Sequence, residues 1–254
     1  MKSPLFESLS ALLGVIILLF LILPLASITI GTSPSEILKT LTEKEVIESI
    51  AVTFWSALIA TVFGTITGIP LAYLTARKKN IAFELIEAGM QVPIIIPHSA
   101  AGIALLSVFG SQKLESITGV SFMGSVVGIS AAMTFVSVPF LYNSAVEAFR
   151  SVAAPLEQMA RACGDGPFRS FFKITLPLAT RGIISGMIMM WARGISEFGA
   201  VIIIAYHPMI APVLIYERFT SFGLDYARPV AVIMLFICSL IFMSLFYFTR
   251  RRKC

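Results

Sequence analysis

Between its charged residues this chain carries uncharged stretches long enough to cross a lipid bilayer. They run from Ser8 to Ser35, Ser49 to Ala76, Ala88 to Gln112, Ser116 to Val146 and Pro229 to Thr249. A sixth, from Gly182 to about Ala205, is interrupted by Arg193 and Glu197. About 20 mostly apolar residues are needed to span ~30 Å of hydrocarbon as a helix. Helices satisfy their own backbone hydrogen bonds, which lipid cannot do for them. The spacing therefore predicts membrane helices near 9–30, 49–75, 88–110, 123–146, 178–205 and 229–249. Composition agrees: 13% of residues are charged, against roughly 25% in soluble domains. The expected architecture is all-α, one transmembrane domain over 1–254, with a first helix at 9–30 and core helices over about 49–249.

Sidedness follows from the Lys and Arg residues that flank the spans, because such residues concentrate in cytoplasmic loops. With the amino terminus inside, the inner segments hold Lys2, Arg77, Lys78, Lys79, Arg150, Arg161, Arg169, Lys173, Arg181, Arg250, Arg251, Arg252 and Lys253. The outer segments hold Lys39, Lys44, Lys113, Arg218 and Arg228, and Arg193 lies within a span. Both termini are therefore expected in the cytoplasm. The same bias accounts for the net charge of +5. No basic stripe interleaved with exposed aromatics is present, which argues against nucleic acid as a partner. The amino-terminal stretch is too long for the core of a cleaved signal, so a retained anchor helix is expected. Cys163, Cys238 and Cys254 show no metal or redox spacing.

Between the first two spans, Ser33-Pro34-Ser35-Glu36 has the pattern of a capped helix start, and Thr42-Glu43-Lys44-Glu45 repeats it. Ile37, Leu38 and Leu41 would share one face of a short interfacial helix; a solvated linker is the alternative. Glycine pairs at Gly64/Gly68, Gly124/Gly128 and Gly182/Gly186 fit close helix packing.

The longest inner connection, 150–177, is the most informative segment. From Leu156 to Pro177 it reads as two short helices flanking a Gly164-Asp165-Gly166-Pro167 turn. Phe168, Phe171 and Phe172 stand at helical spacing beside Arg169 and Lys173. Such an aromatic face must be buried in the protein's own core, in lipid headgroups or in a partner. The segment resembles the signature of permease subunits of ABC-type importers: Glu-Ala-Ala, three residues, Gly, nine residues, Ile, one residue, Leu-Pro. The matching positions are Gln158, Met159, Ala160, Gly164, Ile174, Leu176 and Pro177, with Gln158 and Met159 departing from the motif's Glu and first Ala. The resemblance covers roughly residues 50–249 and implies the type I ABC importer permease fold. In that family the segment is the coupling helix, which docks on a separate ATPase subunit. The chain lacks a Gly-x-x-x-x-Gly-Lys-[Ser/Thr] phosphate loop, since the glycine spacing of Gly119 to Gly124 is followed by Ser125. The expectation is a non-enzymatic transport subunit that binds no cofactor, with ATP and magnesium held by the partner ATPase.

Two membrane segments carry unusual chemistry. In the fifth span, Arg193 and Glu197 are four residues apart and could pair on one helix face. Ionisable groups at that depth point to function; a structural ion pair between subunits is the alternative. In the third span, Pro93 and Pro97 each remove a helix hydrogen bond. Irregular backbone at depth is tolerated only against protein or a water-filled cavity, so this span would line a pathway. His98 would serve there as a donor or as a local cap. Trp191 to Ala200, Pro97 to Leu105 and Tyr206 to Pro212 look like the molybdate/tungstate branch of oxyanion permeases. Sulfate and thiosulfate permeases carry a similar Arg-x-x-x-Glu-[Phe/Tyr]-Gly element.

The resemblance implies a homodimer in the cell membrane, two ABC ATPase subunits below it and an extracytoplasmic oxyanion-binding protein above. Passage of a dianion calls for weak donors, and Pro97, His98, Ser99, Arg193, Ser196 and Glu197 are the pathway candidates. An ion-coupled secondary transporter would instead show an inverted repeat and midplane carboxylates. An intramembrane hydrolase would need a catalytic constellation that the spans lack.

Overall fold

The computed structural model describes residues 4–78, 80–111, 115–117 and 119–251. Lys2, Lys79, Gln112, Lys113, Arg252, Lys253 and Cys254 lie outside the described residues. The elements are α1 (Pro4–Ile30), α2 (Pro34–Leu41), α3 (Lys44–Arg77), α4 (Ile81–Gly89), α5 (Val92–Ile95), α6 (His98–Phe109) and α7 (Val126–Ser151). They continue as α8 (Ala154–Ala162), α9 (Pro167–Ser170), a π turn (Phe171–Thr175), α10 (Leu176–Ile195), α11 (Val201–Ile204), α12 (Ala211–Phe222) and α13 (Leu224–Arg251). No strand occurs among the described residues.

Among the described residues, five helical stretches are long and apolar enough to cross a membrane: Phe6–Ile30, Lys44–Arg77, Val126–Ser151, Pro167–Ile195 and Leu224–Leu245. The third expected span is split. Ile81–Ile95 and His98–Phe109 meet at 113°, and Pro97 is the N-cap of the second piece. At ~1.5 Å per residue, the 12 residues of α6 are too short to cross alone. Counted as one broken span, the bent pair brings the crossings to six; as a re-entrant loop it leaves them at five. Its first arm begins at Ile81 because Asn80 caps it, accepting from the Phe83 amide at 3.1 Å. Gln91–Asn143 at 2.8 Å and Glu87–Arg150 at 2.8 Å then tie that arm to α7.

Helix α7 sits at the centre, between α3 and α10. The most apolar stretch of α7 is 56% buried, whereas none of that of α1 is. Small residues set the spacing of the central helices. A Cβ on Gly182 would come within 2.5 Å of the Ala148 Cβ, and one on Gly186 within 2.7 Å of the Ser144 Cβ. Around these contacts Tyr142, Phe149, Ala145 and Ile183 form one buried cluster, and Ala57, Met133, Val136 and Ala200 belong to another.

The capping motif at Ser33 is present as expected: Ser33 Oγ accepts from the Glu36 amide, and the Glu36 carboxylate accepts from the Ser33 amide. The expected repeat at Thr42 is not formed. Thr42 ends α2, and its hydroxyl donates to the Lys39 carbonyl at 2.7 Å, so Glu43 becomes the N-cap of α3 without a side-chain bond. Two further expectations are corrected. The fifth helix stops at Ile195 rather than 205, and 196–200 form a turn before α11. The second connector helix is not separate, since α9, the π turn and α10 run on as one 29-residue helix. Pro177 explains the π turn: it has no N–H for the Lys173 carbonyl, and the Leu176 amide donates instead to Phe171, five residues back.

Candidate functional site: two buried glutamates

The connector between α7 and α10 is built around a carboxylate. Glu157, on α8, is 6% exposed. Its Oε1 accepts from Arg77 Nε at 2.9 Å, Arg77 Nη2 at 2.6 Å and Thr175 Oγ1 at 2.7 Å. Its Oε2 accepts from the Tyr73 hydroxyl at 3.0 Å. Arg77 also donates from Nη1 to the Phe149 carbonyl at 3.0 Å. One acidic group thus joins the end of α3, the end of α7, α8 and the π turn. Burial alone would raise the Glu157 pKa. The hydrogen bonds from Thr175, Arg77 and Tyr73 and the charge of Arg77 outweigh burial and hold it below the usual carboxylate value.

Around this joint the motif residues divide into two sets. Gly164 adopts φ +94°, a left-handed conformation that favours glycine, and ends α8. Gly166 is the N-cap of α9. Asp165 holds Arg169 at 3.0 Å and Lys173 at 3.8 Å, which curls both cations back onto the turn. The expected aromatic face splits. Phe171 turns inward, with its ring 4.8 Å from Tyr73 and 6.0 Å from Phe149, because the π turn carries it round with Thr175. Phe168 and Phe172 stay out, 82% and 59% exposed, beside Met159 at 66%. Gln158 is exposed, Ala160 and Ile174 are half-buried, Leu176 packs on the second cluster and Pro177 opens α10. Sequence reasoning passed over Glu157. Its partner Arg77 lies 80 positions away, and only the placement of an acidic residue beside Gln158 hinted at a role.

The second carboxylate lies where the broken third span meets the end of α10. Glu197 is 1% exposed and sits just beyond the helix, not on its face as the four-residue spacing suggests; its amide donates to the Gly194 carbonyl at 3.0 Å. The pairing with Arg193 nevertheless forms, with Arg193 Nη2 3.0 Å from Oε2. The same Oε2 lies 2.7 Å from His98 Nδ1, and Arg193 Nη2 lies 2.9 Å from His98 Nε2. The remaining oxygen, Oε1, accepts from the Ala200 amide at 2.9 Å. Arg193 Nη2 is equally 2.9 Å from His98 Nδ1, so it lies against both ring nitrogens; with the proton on Nδ1 the ring donates to Glu197 and leaves Nε2 as the acceptor toward Arg193.

Backbone proximity makes the cluster possible. A Cβ on Gly199 would meet the His98 Cβ at 2.8 Å, and one on Gly102 would meet the Ala200 carbonyl at 3.0 Å. The first turn of α6 therefore lies against the 196–200 turn. Ser196 is exposed; its hydroxyl donates to the Arg193 carbonyl at 3.0 Å and lies 3.4 Å from Arg193 Nη1. Pro97 and Ser99 are exposed beside His98. The structure thus gathers all six pathway candidates at one place, although they come from two segments about a hundred residues apart. The side chains of His98 and Arg193 are 37% and 23% exposed, while that of Glu197 is 1% exposed behind them. Donors face out and the carboxylate faces in, an arrangement able to hold an anion loosely.

Residues 64–253 match the family model described as "Binding-protein-dependent transport system inner membrane component". The chain is 41% identical to the molybdate/tungstate transport system permease protein WtpB of Pyrococcus furiosus, over 95% of this chain and 94% of that one. With the protein of the same name from Methanocaldococcus jannaschii the identity is 40%, over 94% of each chain. A probable sulfate transport system permease protein, cysT of Nephroselmis olivacea, is more distant, at 28% over 93% of this chain and 87% of that one. In fold the chain is similar to a bacterial ABC transporter involved in alginate import, with a TM-score of 0.77 at 16% identity, covering 98% of this chain and 96% of the other.

Proposed function

The chain belongs to the family of binding-protein-dependent transport system inner membrane components, and on that footing we propose that it carries molybdate and tungstate as the permease subunit of an ABC importer. Two copies form the pathway in the cell membrane, with both termini in the cytoplasm. Two ATPase subunits dock beneath, and an extracytoplasmic binding protein delivers the oxyanion to the outer loops. The chain itself binds no cofactor, and ATP with magnesium resides on the ATPase.

The observation that carries this reading is the connector. An exposed surface of Phe168, Phe172 and Met159 is mounted on a joint locked by a buried ion pair. A motor protein gripping that surface moves α8 and α10 as one body, because Glu157 ties both to α3. The grip comprises Gln158, Met159, Gly164, Asp165, Gly166, Phe168, Arg169 and Phe172; Ala160, Phe171, Ile174, Leu176 and Pro177 seat it on the bundle. Closure of the ATPases draws the two connectors together and switches the dimer between inward-facing and outward-facing states. His98, Ser99, Arg193 and Ser196 face the oxyanion in transit. The cargo assignment is supported by the 41% identity to a molybdate/tungstate permease against 28% to a sulfate permease.

The test is uptake into proteoliposomes holding the permease with its cognate ATPase and binding protein. Radiolabelled tungstate should enter only with ATP, and molybdate should compete where sulfate does not. Uptake at full rate without the ATPase overturns the reading; equal competition by sulfate overturns the cargo assignment.

A further inference from the structure

We infer that Glu197 is a resident stand-in for the transported oxyanion: it occupies the donors of Arg193 and His98 when the site is empty and yields them when the anion passes. The inference rests on the transport reading above and adds the device by which the site stays weak.

Arg193 lies in the last turn of a helical stretch apolar enough to span a membrane, where an uncompensated buried charge is strongly destabilising. Paired to nothing, Arg193 would also bind a dianion too tightly to release it, and conduction requires that binding be weak enough to leave. Glu197 meets both demands. Its charge balances Arg193 while no cargo is present, and the same charge repels a bound dianion and drives its departure.

The geometry separates the two carboxylate oxygens by task. Oε1 is held by the Ala200 amide at 2.9 Å, a backbone donor fixed in the turn before α11. Oε2 faces both side-chain donors, Arg193 Nη2 at 3.0 Å and His98 Nδ1 at 2.7 Å. Withdrawal of those donors leaves Glu197 held by the Ala200 amide alone, and the cost of that uncompensated buried charge keeps the hold on the anion weak. Arg193 and His98 are the partly exposed members of the set, so an arriving anion meets them before it meets the carboxylate. Ser196, exposed and already 3.4 Å from Arg193 Nη1, offers a further hydroxyl. The ligand class that fits is a tetrahedral oxyanion, which accepts several hydrogen bonds at once.

The experiment uses the complex of permease and ATPase without the binding protein. Equilibrium binding of radiolabelled tungstate is measured for wild type and for Glu197→Gln, an isostere that keeps the oxygen facing Ala200. The variant should bind tungstate at least about tenfold more tightly and should transport more slowly. Unchanged affinity in the assembled variant overturns the inference. Should the variant fail to assemble, difference infrared spectra of the wild-type complex decide the matter. Addition of tungstate should shift a glutamate carboxylate band as its arginine partner departs, and a spectrum with no carboxylate change overturns the proposal. A wild-type complex that carries sulfate and not tungstate defeats the cargo reading alone. The affinity gain of Glu197→Gln would then appear with labelled sulfate.

Discussion

Glu157 and Glu197 are both buried, both paired to an arginine and both hydrogen-bonded to three or more groups, yet their surroundings differ in one respect. Around Glu157 the donors come from two other elements, Tyr73 and Arg77 from α3 and Thr175 from the π turn, and Arg77, its main partner, is itself fixed by the Phe149 carbonyl. Around Glu197 one oxygen is fixed by backbone and the other is held by two side chains that reach the surface. The first arrangement fastens helices together, and in the second His98 and Arg193 remain 37% and 23% exposed. Burial and charge alone do not distinguish a rivet from a binding site, and neither does the exposure of the arginine, 17% for Arg77 and 23% for Arg193; what else holds the partner does.

The comparison can be broken most forcefully by reversing a charge at the second site. Arg193→Glu or Glu197→Arg alone places two like charges in one buried cluster. At about 3–5 kcal/mol for an uncompensated buried charge, tungstate uptake or assembly should drop by more than about a hundredfold. Full transport by both variants would reduce the pair to spectators. At the first site, Glu157→Gln leaves Arg77 without its counter-charge and weakens charge-assisted bonds of about 1.5–3 kcal/mol each. The expected result is a lowered thermal midpoint and lost ATPase stimulation, with no gain in tungstate affinity. That is the opposite of Glu197→Gln, and a gain at both sites would erase the distinction. Gly164→Val is milder for the bundle, because the left-handed backbone costs a β-branched residue about 1–2 kcal/mol at an exposed position. It should abolish ATPase co-purification while leaving the spans intact, as read by unchanged circular dichroism.

Acid provides the smallest effect. The folded pKa of Glu157 lies below its ordinary value of 4.5, so its contribution is complete above that pH and is lost as pH falls through the lower, folded value. Thermal midpoints should decline in that window for wild type, and the decline should be shallower in Glu157→Gln.

The spans were legible because lipid imposes a length that charges punctuate, and the turn at Gly164 because its residue types admit few conformations. What escaped was pairing at a distance. Nothing local to Arg77 says that it will meet Glu157, and the Arg193–Glu197 spacing suggested a helix face where the chain in fact turns. The two prolines of the third span announced a break but not its 113° angle, which is set by packing of α6 against the turn at Gly199. The three phenylalanines of the connector looked alike in sequence; Pro177, through the widened turn it forces, sent one of them inward.

That widened turn does not interrupt the helix. The stretch from Pro167 to Ile195 holds 29 residues, about 43 Å of continuous rod, with Phe168 at one end and Arg193 near the other. Linkage between two binding events is necessarily mutual. If engagement of the motor at Phe168 alters how readily Arg193 releases an anion, then an anion at Arg193 alters the motor's hold by the same free energy. A single helix would then let the empty or filled condition of the transport route be sensed by the engine beneath it.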